Sequence, residues 1–344
     1  MKKQFRNKIN RMGAVTVALC MAMGMTVGCG TENAPSSGET NISAITSETQ
    51  LSETAASEAQ TSETVVASET QAAVPSDEVS VYSGTPDTSW YTGSENEYVL
   101  TTADQLMGFQ QLRAEDNTFE GITIKLGASM TINEGTADEL KAKAAENYAW
   151  AGLNSENEFK GTFDGQGNTI SGVYMQLASA AKKGMFGTLG ENATIKNFTL
   201  DNSYFGGPTA AEKSNFGAIA GLVTGKNVLI SNVNVKAIVE EGSGEKLANV
   251  GGFIGAIIAE ASIIIENCTF DGSVTTTGEC AGGFLGYLSF SKAEVIIKNC
   301  TCNGVVTAAN GAGDIIGWAK KYAALTTDGC IGQGTLIGKE GKDE

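Results

Sequence analysis

The chain has 344 residues, 39 Asp and Glu against 23 Lys and Arg, a formal charge of −16, and no histidine. That balance argues against nucleic acid and against docking on anionic lipid. The missing histidine removes Ser-His-Asp and Cys-His nucleophiles, the commonest acid–base side chain, and nearly all zinc sites other than four-cysteine ones.

Residues 1–28 read as an export signal. Lys2, Lys3, Arg6, Lys8 and Arg11 form a positive start, an apolar stretch from Met12 to Val27 comes next, and small Gly28 precedes Cys29. Thr26-Val27-Gly28-Cys29 resembles the lipobox of bacterial lipoproteins, with threonine in place of the usual leucine. The resemblance implies lipid attachment at Cys29, and hence a membrane partner through a lipid anchor. A plain signal peptide with an incidental cysteine is the alternative. Loss of the signal leaves 18 basic residues against 39 acidic ones, a charge of −21.

Residues 29–80 repeat Ser-Glu-Thr at 47–49, 52–54, 62–64 and 68–70, and no Lys or Arg occurs between Met12 and Gln111. Such a composition buries too little apolar surface to offset its ordering entropy, so the segment is expected to be a disordered tether. Residues 81–344 are expected to form one folded domain. Thr102–Leu112 carries a capping-box pair, Thr102 and Gln105, and an apolar side of Leu106, Phe109 and Leu112. It predicts a short helix plugging the N-terminal end of the repeats in the C-terminal half.

Those repeats are marked first by glycine. GMFG (184–187), GAIAG (217–221), GGFIG (251–255), GGFLG (282–286) and GDIIG (313–317) place their last glycines at intervals of 34, 34, 31 and 31. About ten residues after each comes IKNFTL, ISNVNV, IENCTF or IKNCTC, and then a decayed TDGCIG. Self-similarity at this period means a solenoid. The copies are rich in Val, Ile, Thr and Phe with period-2 alternation, which means strands. Their inward parity slips by one residue at Asn197, Asn232, Asn267 and Asn299, so the chain has to bend there rather than continue inside out. Asparagine tolerates the left-handed backbone of such a corner, and stacking would line these four up about 4.8 Å apart as an amide ladder.

Phe159-Lys-Gly-Thr-Phe-Asp-Gly-Gln-Gly-Asn-Thr-Ile-Ser-Gly172 ahead of those glycine copies resembles the GLUG-motif surface proteins. The resemblance covers roughly 98–338 and implies an all-β, right-handed parallel β-helix with a pectin-lyase-like or adhesin-like scaffold. Some members of that family are accessory regions of metallopeptidases, but a HExxH motif needs histidine and this chain has none. The expected function is therefore a lipid-anchored, non-enzymatic, adhesin-like display protein on the extracellular face of a bacterial membrane. Its ligand would be a host glycan or an extracellular protein. No catalytic residue, metal or cofactor is assigned.

Two other readings stay open. A polysaccharide lyase or hydrolase on the same scaffold would need a base, nominally Lys236 or Lys298, because Arg113 is the one arginine after the signal. A purely structural envelope component is the third. Asp164-Gly-Gln-Gly167 could suggest Ca²⁺ but reads better as a tight turn. Cys268, Cys300 and Cys330 hold one repeat position, within reach of one another for disulfides, and read better as stacked core thiols. The intervals from each asparagine to the next glycine copy are 20 and 19 residues after Asn197 and Asn232, but 15 and 14 after Asn267 and Asn299. About five extra residues thus project from two consecutive coils, which makes Lys213, Glu240, Glu241 and Lys246 candidate ligand-binding loop residues.

Overall fold

The computed structural model describes residues 79–340, apart from 152–156, 177–181, 208–213, 242–247, 279 and 322. Strand stacking obeys the repeat. Ile195 pairs with Ile230, Ile230 with Ile265 and Ile265 with Ile297, all in parallel. The column continues back through Phe163, Ile124 and Tyr98 and forward to Thr327. Every member from Tyr98 to Ile297 is buried, so one inward position per coil builds a continuous core. This is a parallel β-solenoid. A six-stranded sheet closes its other side, made of Glu158–Phe159, Thr188–Leu189, Ala220–Val223, Ile254–Ile257, Leu285–Leu288 and Ile316–Ala319.

The glycine copies sit where the chain turns into that second sheet. A Cβ on Gly251, Gly282 or Gly313 would lie 1.9, 2.1 or 2.0 Å from the carbonyl oxygen three residues on. The turn is too tight for any side chain, which is why glycine recurs at the coil period.

The N-terminal end is covered. Helix α1 (Ala103–Ala114) has the full capping box, with the Thr102 hydroxyl accepting from the Gln105 N–H and the Gln105 side chain accepting from the Thr102 N–H. Phe109, fully buried, faces Phe119 at 5.1 Å, Phe163 at 5.6 Å, and Phe159 and Phe186 at 6.2 Å. Arg113 at the end of α1 is buried as well, its guanidinium 5.5 Å from the Phe159 ring centre. It donates to the carbonyls of Asn117 and Asn157. Burial depresses its pKa to about 10, against an opposing effect of Asp116. It ties the plug to the first coils and reaches no outer face.

A second helix, α2 (Ala137–Ala142), was not expected from the sequence. It carries a Thr136–Glu139 capping box and lies on the outer side of the wall. Leu140 packs there with Tyr174, Tyr204 and Ile238, residues that share one column of three neighbouring coils. The six-residue helix is too short to persist on propensity, so this contact holds it.

Among the described residues no strand pairs beyond Ala324–Asp328, Ile331–Gly332 and Thr335–Glu340. Leu336 stacks on Val306, which is fully buried, yet is itself 42% exposed. Among the described residues no helix is long and apolar enough to cross a membrane.

Candidate functional site

At one corner of the wall Asn197, Asn232, Asn267 and Asn299 all adopt positive φ, between 52° and 60°. The Asn232 amide donates to Asn197 Oδ1 at 3.1 Å and the Asn299 amide to Asn267 Oδ1 at 3.4 Å. Among the described residues no such bond joins Asn267 to Asn232, so the ladder consists of two pairs. Gly329, with φ 58°, turns the same corner in the last coil without an amide.

Asp164 closes the other end of the ladder. Its Oδ1 accepts from the Asn197 amide at 3.0 Å and the Gln166 N–H at 3.1 Å, and Lys196 Nζ lies 3.3 Å from Oδ2. This is a turn closed by hydrogen bonds, with Gln166 and Gly167 at positive φ, and no group of metal-ligating side chains occurs among the described residues. Burial alone would raise the Asp164 pKa, but the Asn197 amide, the Gln166 N–H and Lys196 together hold it below the ordinary value. Its stabilising contribution is complete above the unfolded value of about 3.9 and is lost as pH falls through the lower folded value. Asp164→Asn should therefore lower the melting temperature near neutral pH and converge with the parent in strong acid. A constant difference at all pH values would refute this account.

The structure adds further polar stacks, one of them at the repeat position that Asp271-Gly272 and Asn303-Gly304 share in the sequence. The Asn227 amide donates to Asn192 Oδ1 at 3.2 Å, the Asn249 amide to Asn215 Oδ1 at 3.0 Å, and Asn303 and Gln333 extend a row from Asp271. Beside the asparagine corner, Thr169, Thr199, Asn234, Thr269 and Thr301 form an outward row in register. An open groove of about 430 Å³ runs here, lined by Gln166, Asn197, Thr199, Asn232 and Asn234 among others. Amides and hydroxyls at coil spacing present donors and acceptors without net charge, the chemistry of a neutral polar ligand.

The cysteines stack one step further on. Cys268, Cys300 and Cys330 are thiols, and each Sγ lies against the carbonyl two residues back and an isoleucine carbonyl of the preceding coil. Burial, with Cys300 adding to it, pushes the Cys268 thiol up; burial also raises Cys302 to about 11 and lifts Cys330. Iodoacetamide should accordingly modify half-buried Cys330 first in the native protein and reach Cys268, Cys300 and Cys302 only on unfolding. Mass mapping of a native time course checks this, and early labelling of Cys300 would contradict it.

The candidate loop residues separate. Lys213 and Lys246 lie outside the described residues. Glu240 and Glu241 belong to the strand Val228–Glu241 rather than to a loop. Glu240 accepts from the Tyr204 hydroxyl at 2.9 Å and pairs with Lys141 of α2 at 2.7 Å. Glu241 is buried and accepts from the Thr276 hydroxyl at 2.7 Å. Both therefore serve the wall. Burial first, then the bond to Glu240, raises the Tyr204 pKa.

The flanks of the insertions are nevertheless in register. Gln176, Gly206 and Glu240 pair at the exit, and Lys182, Asn215 and Asn249 at the return. Five residues separate Gln176 from Lys182, against eight between Gly206 and Asn215, eight between Glu240 and Asn249, and four between Thr275 and Cys280. The two insertions that the spacing disclosed are therefore the long ones, on consecutive coils. Of the two nominal bases, Lys298 pairs with Glu266 at 2.8 Å and Lys236 is exposed on the wall strand.

No family model matches the chain. Over 227 residues, 59% of this chain and 2% of the relative, it is 28% identical to halomucin of Haloquadratum walsbyi. Over 162 residues, 44% of this chain and 16% of the relative, it is 26% identical to a protein of Evansella cellulosilytica named as a Gly-rich membrane protein. The chain thus spans a small part of each relative's length. A crystal structure from Bacteroides ovatus, provisionally named an immunoglobulin A1 protease, aligns with 72% of this chain and 84% of its own at 18% identity and a TM-score of 0.43. That likeness is too slight to carry an argument about activity.

Proposed function

We propose that this chain is a lipid-anchored display protein of the bacterial cell surface, of the GLUG type. Residues 1–28 export it, Cys29 carries the lipid, residues 29–80 act as a tether, and the solenoid is a non-enzymatic binding scaffold. The observation that carries this reading is the pair of insertions, after Gly206 and Glu240, leaving consecutive coils in register on one wall. Solenoids commonly place recognition on such insertions. The names of the relatives support a surface or membrane setting. The ligand in this reading is a host glycan or an extracellular protein, bound at the insertions and reaching toward the polar groove.

Two experiments test it. Cys29→Ser should release the protein from the membrane fraction and abolish labelling by a fatty-acid probe; equal labelling of both forms would exclude the anchor. Arrays of glycans and extracellular proteins should yield a ligand whose binding disappears when the insertions after Gly207 and Glu241 are cut to the length of the Thr276–Cys280 turn. Undiminished binding by the shortened protein would place the site elsewhere.

A further inference from the structure

The groove beside the asparagine corner takes its shape from one irregular coil. Asp164 pairs with Lys196 and Thr169 with Thr199, so four residues turn this corner in one coil where two turn it in the next. The later coils also use two, between Ser231 and Asn234, Glu266 and Thr269, and Lys298 and Thr301. The longer corner leans over its neighbour, with the Gly167 N–H donating to the Asn197 carbonyl at 2.7 Å. Gln166 and Gly167 thereby make a shelf along one side of the groove. Asn197 and Thr199 are its floor, and Asn232 and Asn234 its far side.

The polar groups of the groove divide into two sets. Asn197 is engaged on both sides, its amide on Asp164 Oδ1 and its Oδ1 accepting from Asn232. Among the described residues nothing bonds Asn232 Oδ1 or the side chains of Gln166, Thr199 and Asn234. Gln166, Asn232 and Asn234 are exposed. Backbone pairing from coil to coil holds these groups in place, so a ligand meets donors and acceptors that are already ordered.

Charge and apolar surface are both missing from the lining. Asp164 is paired with Lys196 at 3.3 Å and Glu266 with Lys298 at 2.8 Å. Lys236, two residues past Asn234, lies outside the lining, and Phe198 within it is buried. An anionic ligand finds no free cation here, and a protein partner finds no pocket for an aromatic or aliphatic anchor. Hydroxyl groups do fit, since each both donates and accepts and so matches amide oxygens, amide N–H groups and a threonine hydroxyl alike. The volume of about 430 Å³ suits a small unit of a larger molecule.

We propose that this groove is a subsite for a neutral glycan, one sugar unit of which sits between the Gln166–Gly167 shelf and the Asn232–Asn234 side, its hydroxyls bonded to Asn232 Oδ1, Thr199 and Asn234. The inference rests on the binding reading above and narrows its ligand to a neutral glycan.

Native affinity electrophoresis of the full chain in a polyoxyethylene detergent tests this, in gels carrying mannan, galactan, xylan or dextran, with polygalacturonate as the acidic comparison. At least one neutral polymer should retard the parent, equally at low and high salt. Thr199→Ala combined with Asn234→Ala, both on outward strand positions, should raise the dissociation constant at least about tenfold at an unchanged melting temperature. Lys236→Ala should change nothing. The proposal is overturned if no neutral polymer retards the parent, or if the double variant binds within about twofold of it. It is equally overturned if polygalacturonate alone binds and either high salt or Lys236→Ala releases it. A ligand lost on shortening the two insertions but kept by the double variant overturns the groove assignment and leaves the display reading standing. A neutral polymer lost with the double variant but kept by the shortened protein supports the groove and removes the insertions from the site.

Discussion

Phe109→Ala should destabilise the folded domain by about 3–5 kcal/mol, the range for truncating a fully buried phenylalanine. The ring has no exposure and meets Phe119, Phe159, Phe163 and Phe186. Its loss leaves a cavity at the junction of α1 with the first coils, where Arg113 also depends on a fixed helix to reach the Asn117 and Asn157 carbonyls. A solenoid is stabilised through nearest-neighbour interfaces, so the damage should begin at this end. Chemical denaturation should show a lower midpoint, and hydrogen exchange should show protection lost first in Glu97–Leu100 and Thr123–Leu126. Gln111→Ala, on the exposed side of α1, should stay within about 0.5 kcal/mol of the parent. Equal effects of the two changes would mean that α1 is not a plug.

Gly283→Asp should be still more damaging, at about 4–5 kcal/mol or beyond. The new Cβ would lie 2.1 Å from the Asp314 carbonyl oxygen and 2.6 Å from Cys302 Sγ. Its carboxylate would enter a lumen walled by fully buried Cys302 and Phe270. One coil further on an aspartate, Asp314, holds the corresponding position, because the residue in register with Cys302 there is Gly332, which leaves the space free. Asp314→Gly should therefore be close to neutral in stability, whereas Gly283→Asp removes cooperative unfolding. Similar melting curves for these two variants would show that the last coil is an ordinary one.

Much of the architecture was legible in particular residues of the sequence. The spacing of Gly251, Gly282 and Gly313 gives the coil length, because a carbonyl about 2 Å from where a Cβ would sit excludes every other residue. The parity slips at Asn197, Asn232, Asn267 and Asn299 mark bends, since only a change of direction keeps both flanking apolar sets inside. The Thr102–Gln105 box marks α1, a local signal needing no partner. These features are written in the sequence because each concerns contacts within a coil or between one coil and the next, and those contacts recur with the repeat.

The tertiary structure alone decided the rest. Glu97–Leu100 and Thr123–Leu126 join the stack without any glycine motif, held by Tyr98 and Ile124 lying in the column of Phe163 and Ile195. Helix α2 exists because Leu140 meets Tyr174, Tyr204 and Ile238, brought together from separate coils. Glu240 and Glu241 belong to the wall because Lys141, Tyr204 and Thr276 reach them from other coils. That Gly252 faces Phe270, Gly283 faces Cys302 and Asp314 faces Gly332 is likewise read from the fold, because nothing in the repeat says which two of its positions meet until the coil has closed. Periodicity determines what stacks along the axis; which positions face each other across the lumen or over the outer wall is decided only when the folded chain brings them together.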